Sequence, residues 1–257
     1  MSYNAVELMI CSAARALDDG KTVVVGTGMP CACAMLAQKT HAPNLVVLFE
    51  AGGVAPQLPT MPISVGDSRT FHRGIMATSM ADIMQFCQRG MVDYTFLGGA
   101  QIDAHGNLNS TLIGGEYRKP KVRLPGSGGA CDLASFCWRT LVVTMHDPRR
   151  FVPKLDFLTT PGYLSGPGAR EAAGLPKGTG PYRVITDLAI MGYHPQSKRM
   201  QVRSLHPGIT LDQVRKATSF ELEVGENLET TTVPTPRELE ILRTEVDPHR
   251  YILGRAA

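Results

Sequence analysis

The sequence contains 257 residues, of which 43% are hydrophobic and 19% charged, and its formal net charge at pH 7 is +3. This composition is typical of a soluble globular protein, and the balanced charge argues against nucleic acid or a membrane surface as a partner. No apolar run reaches the roughly 18 residues of a membrane span, and the first residues lack the layout of a signal peptide, so we expect a cytoplasmic protein.

The first half of the chain alternates predicted helices and strands. In chain order it predicts a helix over residues 5–19 ended by Gly20, strands over 21–25 and 45–49, a helix over 78–89 and a strand over 94–97. Continuously apolar strands that alternate with helices are typical of a parallel sheet covered on both faces. We therefore predict an α/β fold with an open, mainly parallel sheet and helices on both faces.

The second half begins with a predicted strand over 141–145 and then changes character. Residues 159–181 are dense in glycine and proline and predict a long loop, of the kind that is often functional. Strands are predicted over 182–190 and 200–205, and capping boxes at Thr210 and Thr235 predict two further helices. We find no repeat and no linker, so we expect a single domain over residues 1–257.

Six cysteines are spread along the chain without a C-x-x-C pair, as expected for reduced thiols in the cytoplasm. Cys31 and Cys33 form a C-x-C pair, which is weak evidence for zinc. We favour the alternative that they are small buried residues at the start of a helix, and we predict no metal site.

Glu50 is the first candidate for chemistry. It follows the apolar run Val46 to Phe49 and precedes Gly52 and Gly53. In open α/β sheets, ligands bind beyond the carboxyl ends of the strands, and glycines there let a ligand approach closely. An acidic residue that merely caps the next helix fits the local sequence equally well.

Two further segments point towards the same kind of site. In Gly126-Ser-Gly-Gly-Ala130, backbone N–H groups are available to face a developing oxyanion. Gln101, Asn107 and Asn109 place amide side chains just past a predicted strand end, where polar ligands are bound. Glycine-rich turns are common, however, and each asparagine is equally suited to stabilising its own turn.

Together these motifs resemble the class I CoA-transferases, and within them the β subunit of glutaconate CoA-transferase, which carries the catalytic glutamate. The matching segments are residues 26–30, Glu50 with its glycines, 64–67, 98–111, 126–130 and 159–168. Many members have Ser-Glu-Asn-Gly at the nucleophile, whereas this chain has Phe49-Glu50-Ala51-Gly52. The resemblance therefore implies the chemistry more directly than the substrate range.

The resemblance implies the CoA-transferase/NagB-like fold and a mechanism in which Glu50 attacks an acyl-CoA and becomes a glutamyl-CoA thioester. It implies backbone oxyanion donors at Gly26, Thr27, Gly28, Gly128 and Gly129, and substrate orientation by Gln101, Asn107 and Asn109. Coenzyme A enters as a substrate, with a (di)carboxylic acid as acceptor, and no other cofactor is expected. Because only one set of motifs is present, a homologous α subunit must complete the site in a heterotetramer or larger assembly.

Three alternatives remain open at this stage. An acyl-CoA hydrolase or decarboxylase of the same fold would change the reaction, although the glutamate favours transfer. A nucleotide-binding oxidoreductase is disfavoured, because the turn at residues 26–30 has two of the fingerprint glycines and lacks the third. A non-catalytic or ligand-sensing subunit would keep the fold without using Glu50 as a nucleophile.

Overall fold

The structure, a computed structural model, describes residues 2–254. The α-helices are α1 (Ala5–Ala14), α2 (Met29–Lys39), α3 (Met80–Gln88), α4 (Ala130–Phe136), α5 (Ala169–Ala172), α6 (Leu211–Lys216) and α7 (Pro236–Ile241). The strands are β1 (Thr22–Val25), β2 (Val46–Phe49), β3 (Gly53–Val54), β4 (Met76–Ala77), β5 (Tyr94–Leu97), β6 (Gln101–Ile102), β7 (Leu108–Asn109), β8 (Leu112–Glu116), β9 (Lys119–Arg123), β10 (Arg139–Val143), β11 (Pro181–Ile185), β12 (Ala189–Tyr193), β13 (Met200–Leu205) and β14 (Glu223–Thr230). Within residues 2–254, no helix has the length and apolar character required to cross a membrane.

The chain folds into two compact units. The first contains the residues up to 96 together with those from 232 onward, and the second contains residues 97–231. The single domain expected from the sequence stays a prediction, and the two units are described separately below.

The first unit is built on the strand order β5-β1-β2-β3-β4. Strand β1 lies parallel to both β5 and β2, and the short strands β3 and β4 continue the sheet in antiparallel fashion. The β1–β2 register pairs Val25 with Phe49, the last residue of each strand. The chain segments that follow these two strands therefore leave the sheet at the same edge.

The core of the first unit surrounds these short strands. The last three residues of β1 and of β2 are buried, as expected for parallel strands covered on both faces. Helix α2 is buried along most of its length and begins with Cys31 and Cys33 among its first residues. Burial raises the pKa of the Cys31 thiol to about 12, so both cysteines behave as small apolar core residues.

The second unit has the strand order β14-β13-β12-β11-β10. Strands β10 and β11 are parallel, β11, β12 and β13 form an antiparallel meander, and β14 pairs in parallel with β13. One face packs onto a hydrophobic cluster that includes Val184, Met191, Val202 and Phe151. The hairpins β6–β7 and β8–β9 form separate two-stranded sheets.

The structure confirms the predicted α/β class, with parallel strands and intervening helices around the core. Strands β2, β5 and β13 lie within two residues of their predicted bounds, and the capping boxes at Thr210 and Thr235 begin α6 and α7. The predicted helix over 5–19 is too long: it ends at Ala14, where i→i−3 hydrogen bonds tighten the last turn. The predicted strand over 182–190 is two strands, because the chain reverses between Ile185 and Ala189.

Candidate active site

Glu50 occupies a tight turn at the end of β2. The Gly52 N–H donates to the Phe49 carbonyl at 2.9 Å, which closes the turn around Glu50 and Ala51. The Glu50 side chain is partly exposed. Among residues 2–254, no backbone or side-chain group forms a hydrogen bond or ion pair with its carboxylate. Glu50 is therefore held by its backbone and keeps its charged group available.

The glycines after Glu50 serve a different purpose from the one expected. A Cβ at Gly52 would lie 1.9 Å from the Thr78 carbonyl oxygen, and one at Gly53 would lie 1.9 Å from that of Thr70. Gly52 also has a φ of +113°, which side-chain-bearing residues rarely adopt. The space beside these glycines is filled by the protein's own backbone, so the expectation that they admit a ligand is wrong. They fix the direction in which the turn presents Glu50.

The Gly26-Thr27-Gly28 turn follows β1 and lies at the same sheet edge as Glu50. Gly28 has a φ of +83° and precedes α2, which has a proline in its first turn. Within the described part of the chain, the N–H groups of residues 26–28 donate to no protein acceptor. Helix α2 adds the positive end of its dipole to this edge. The structure thus brings an unpaired carboxylate and unpaired backbone donors to adjacent strand ends.

The glycine turn of the second unit precedes α4. Gly126 and Gly128 have φ angles of +100° and +50°, and a Cβ on either would meet open space. The turn is fastened by the Gly126 N–H donating to the Ser110 carbonyl and the Ala130 N–H donating to the Ser127 carbonyl. The N–H groups of Gly128 and Gly129 donate to no acceptor in residues 2–254. This turn therefore has the open, donor-rich character that an oxyanion site requires.

Asn107 is one of three amide residues that the sequence predicts to bind substrate. Its side-chain oxygen accepts hydrogen bonds from the N–H groups of Gly162 and Leu164 at 2.7 and 3.0 Å. Its side-chain nitrogen donates to the Leu164 carbonyl at 2.9 Å and to Asp103 at 2.8 Å. These contacts hold Leu164 at a φ of +53°. The geometry favours a positioning role for Asn107, and its contact with substrate stays a prediction.

Gln101 and Asn109 face each other across the β6–β7 hairpin. The Asn109 side-chain nitrogen donates to the Gln101 side-chain oxygen at 2.7 Å and to the Leu112 carbonyl at 2.6 Å. The Asn109 oxygen accepts from the N–H groups of Thr111 and Leu112. Gln101 in turn donates to Asp156 at 2.7 Å. Both amides are committed to protein partners, as Asn107 is, and substrate binding by them also stays a prediction.

Arg170 has a structural role that the sequence analysis missed. It is 2% exposed, and its guanidinium donates to the carbonyls of Gly162 at 2.8 Å and Ala134 at 3.0 Å and to the Thr179 hydroxyl at 2.8 Å. It thus ties the glycine- and proline-rich segment 159–181 to α4, the helix that follows the Gly128-Gly129 turn. The only signal in the sequence is a single arginine within that segment.

Comparison with known proteins gives consistent relatives for this arrangement. The Coenzyme A transferase family model matches residues 6–217. The β subunit of 3-oxoadipate CoA-transferase from Pseudomonas knackmussii is 40% identical over 243 residues, covering 94% of this chain and 93% of the relative. The β subunit of glutaconate CoA-transferase from Acidaminococcus fermentans is 35% identical over 252 residues, covering 96% of this chain and 94% of the relative.

Solved structures agree with these relatives. The crystal structure of glutaconate CoA-transferase from Acidaminococcus fermentans matches with a TM-score of 0.93 and 33% identity, covering 99% of both chains. The decarboxylase AibA/AibB matches with a TM-score of 0.83 and 27% identity, covering 97% of both chains. The family model spans most of the sequence, and two relatives exceed 30% identity over nearly the whole chain. The chain therefore belongs to the coenzyme A transferase family.

Proposed function

We propose that this chain is the glutamate-bearing subunit of a heteromeric CoA-transferase that moves CoA between an acyl-CoA and a dicarboxylic acid. The observation that carries the proposal is the Glu50 carboxylate, which is unpaired within the described residues and lies at the strand edge shared with the Gly26–Gly28 turn. A carboxylate used only as a helix cap would be bonded to backbone N–H groups. An unpaired one is free to act as a nucleophile.

In the proposed first step, a Glu50 carboxylate oxygen attacks the thioester carbonyl of the acyl-CoA. The carbon–sulfur bond breaks, CoA leaves as a thiolate, and a mixed anhydride forms on Glu50. The thiolate then attacks the Glu50 carbonyl of the anhydride and releases the donor acid as a carboxylate. This leaves a glutamyl-CoA thioester, and the acceptor carboxylate reverses both steps. Each step is a substitution at a carbonyl, so no oxidant or reductant is required.

Both substitutions pass through a tetrahedral oxyanion, which needs hydrogen-bond donors. The unpaired N–H groups of residues 26–28 adjoin Glu50 in the first unit, and those of Gly128 and Gly129 form a second donor pair. We assign the oxyanion to these backbone groups, since loss of one such donor typically costs about 2.7–4 kcal/mol of transition-state stabilisation. The saturated amides of Gln101, Asn107 and Asn109 support the segments around the site.

The proposal includes a second, homologous subunit. The 3-oxoadipate and glutaconate relatives are each named as the second of two kinds of subunit, which implies a first kind in those enzymes. This chain carries one nucleophile and one set of motifs. We expect the partner to supply the rest of the acyl and CoA pocket.

The acceptor class also follows from the relatives. Their names specify 3-oxoadipate and glutaconate, which are both dicarboxylic acids of five or six carbons. We therefore propose a dicarboxylate of similar length as donor or acceptor acid.

The proposal is tested by mass spectrometry of the purified complex after incubation with an acyl-CoA in the absence of an acceptor acid. The expected result is a CoA adduct, with loss of water, on the peptide that contains Glu50. Glu240→Gln, a change at an exposed carboxylate of the same unit, should leave the adduct in place. Turnover without any adduct on Glu50, in a complex trapped during reaction, would contradict the mechanism.

A second candidate is hydrolysis or decarboxylation on the same fold, favoured by the similarity to the decarboxylase AibA/AibB. Thiol release measured with and without a dicarboxylate separates it from transfer. Transfer requires that CoA release to a new acyl-CoA depends on the acceptor. Release of free thiol at the same rate without an acceptor would favour the second candidate.

A further inference from the structure

Two arginines of the second unit converge over a glycine on the β11–β13 meander. A Cβ at Gly192 would lie 3.0 Å from Nη1 of Arg183 and 3.1 Å from Nε of Arg203. Because both distances start from one point, the two nitrogens are no more than 6.1 Å apart. The missing side chain at Gly192 is what lets both guanidinium groups lie against the sheet.

Neither guanidinium has a counter-charge. Arg183 donates to the Tyr182 carbonyl at 3.0 Å and lies over the Tyr182 ring at 4.2 Å. Arg203 reaches only the Tyr193 carbonyl, at 3.4 Å. Within residues 2–254, neither arginine has a carboxylate at ion-pair distance. Burial lowers the pKa of Arg183, and the positive charges of Arg203 and Arg139 lower it further. Adjacent cations without an anion between them are unfavourable unless a ligand supplies that anion.

The position of Arg203 results from an irregularity in the strand. The pairing of β12 with β13 and of β13 with β14 shifts register around Arg203, between Val202 and Ser204. Such bulges redirect a side chain and are common next to binding sites. Here the bulge directs the Arg203 side chain towards Gly192 and Arg183.

The two arginines line a groove over β11–β14, of about 970 Å³. This volume falls in the range of small-molecule sites. Ile190, Pro195 and Val224 contribute apolar surface, and Glu226 and Glu229 line the β14 side. The groove therefore offers a cationic pair, an apolar surface and an acidic margin.

We propose that this groove, the β11–β14 groove, binds a small organic acid whose carboxylate lies between the guanidinium groups of Arg183 and Arg203. Planar guanidinium groups match the geometry of a carboxylate, and the apolar surface accommodates a short carbon chain. The acidic margin on β14 repels a phosphate dianion more strongly than a single carboxylate. This site is independent of Glu50 chemistry and requires no turnover.

Hydrogen–deuterium exchange of the protein as purified, in its complex, tests the proposal locally. The probes are sodium succinate, inorganic phosphate and sodium chloride at equal ionic strength. We expect succinate to slow exchange in peptides covering Met200–Leu205 and Glu223–Thr230, with saturation that gives a dissociation constant. Arg203→Gln should weaken this constant about 10-fold or more, since a hydrogen bond to a charged group is lost.

Matched variants keep the test decisive. Arg203 is exposed, so Arg203→Gln should fold normally, and Arg183→Gln should give the same loss independently. Arg149→Gln, at an exposed arginine of the same unit, should leave succinate protection unchanged. Protection by phosphate without protection by succinate, equal protection by chloride, or protection retained in Arg203→Gln would each overturn the proposal.

Discussion

The turn after β2 and the amide-bearing segment 101–109 treat their polar side chains in opposite ways. The Glu50 carboxylate has no partner in the described chain, whereas the side-chain atoms of Gln101, Asn107 and Asn109 are committed to protein partners. Both segments follow a strand, and both look like ligand sites in the sequence. The difference is that one holds its functional group through the backbone and the other uses its side chains to hold the backbone.

This difference separates reactivity from positioning. A nucleophile must keep its lone pairs free, so its orientation has to come from turn geometry and packing. An amide that orders a loop must satisfy both its donors and its acceptor, because an unmatched buried polar group is costly. Substitutions at the Glu50 turn should therefore change the rate, and substitutions at the amides should change stability.

The largest expected effect is at Glu50. Glu50→Gln keeps the size of the side chain and removes the nucleophilic oxygen, so transferase activity should fall by about 10⁴-fold or more. The melting temperature of the complex should stay within about 1 °C, because the carboxylate contacts no described group. Steady-state kinetics and a thermal melt on the same preparation measure both quantities.

The control for this prediction is Glu240→Gln, which removes an exposed carboxylate of the same unit. It should alter neither activity nor melting temperature. An active Glu50→Gln enzyme would remove the nucleophile from the mechanism and would erase the contrast between the two segments.

The next effect in size concerns the turn itself. Gly52→Ala puts a methyl group 1.9 Å from the Thr78 carbonyl oxygen and forces alanine to a φ of +113°. We expect a loss of about 4 kcal/mol in the free energy of unfolding, and a lower kcat because Glu50 changes direction. Denaturant unfolding and kinetics at a fixed protein concentration give these values.

Gly66→Ala is the matched control, since Gly66 is exposed and has no positive φ or close backbone neighbour. It should behave like the unmodified protein. If Gly52→Ala were equally stable and active, the turn would not fix the direction of Glu50.

The sequence predicted the regular elements best where local signals were strong. The capping boxes at Thr210 and Thr235 and the apolar runs of β2 and β5 each match an observed element. The β11–β12 hairpin was missed because its turn, at residues 186–188, contains neither glycine nor proline. Thr186 makes that turn instead: its hydroxyl accepts from the N–H groups of Leu188 and Ala189.

The candidate site was predictable only in part, for a physical reason. Motif order identified Glu50 and the glycine turns, because their chemistry depends on residue types that the sequence displays. The contacts of Gly52 with Thr78, and of Arg170 with segments on both sides of it, depend on tertiary approach between distant residues. No local pattern distinguishes a glycine that admits a ligand from one that admits a neighbouring backbone.

The amide segment should respond in stability alone. Asn107→Ala leaves the N–H groups of Gly162 and Leu164 without an acceptor and releases the strained φ of Leu164. We expect the free energy of unfolding to fall by about 3 kcal/mol. Below the melting transition, KM for the acid substrate should change by less than about threefold, because the amide itself does not touch it.

Gln88→Ala removes an exposed amide with no described side-chain partner and should have no effect. A large rise in KM with unchanged stability in Asn107→Ala would show that Asn107 contacts the substrate. That result would restore the role that the family resemblance implies.

The smallest of these effects is a dependence of stability on pH through His146, another partnered side chain of the second unit. Its ring nitrogens contact the hydroxyls of Thr186 and Thr218, and the ring stacks on Phe151 at 4.0 Å. Burial lowers its pKa from the ordinary value of 6.5 to about 4. The unfolded chain thus takes up a proton at a higher pH than the folded chain does.

Stability from His146 is therefore complete above pH 6.5 and is lost as the pH falls towards 4, by about 2 kcal/mol at pH 5. Carboxylates with lowered pKa values act below this window, whereas burial of His206 acts in the same direction within it. Unfolding measured from pH 7 to 5 should show a shallower slope in His146→Gln and an unchanged slope in His72→Gln, at an exposed histidine. An unchanged slope in His146→Gln would mean that the folded protein already accepts this proton. His146 would then resemble Glu50, as a group whose charge the fold leaves open, and the contrast between the two regions would fail at that position.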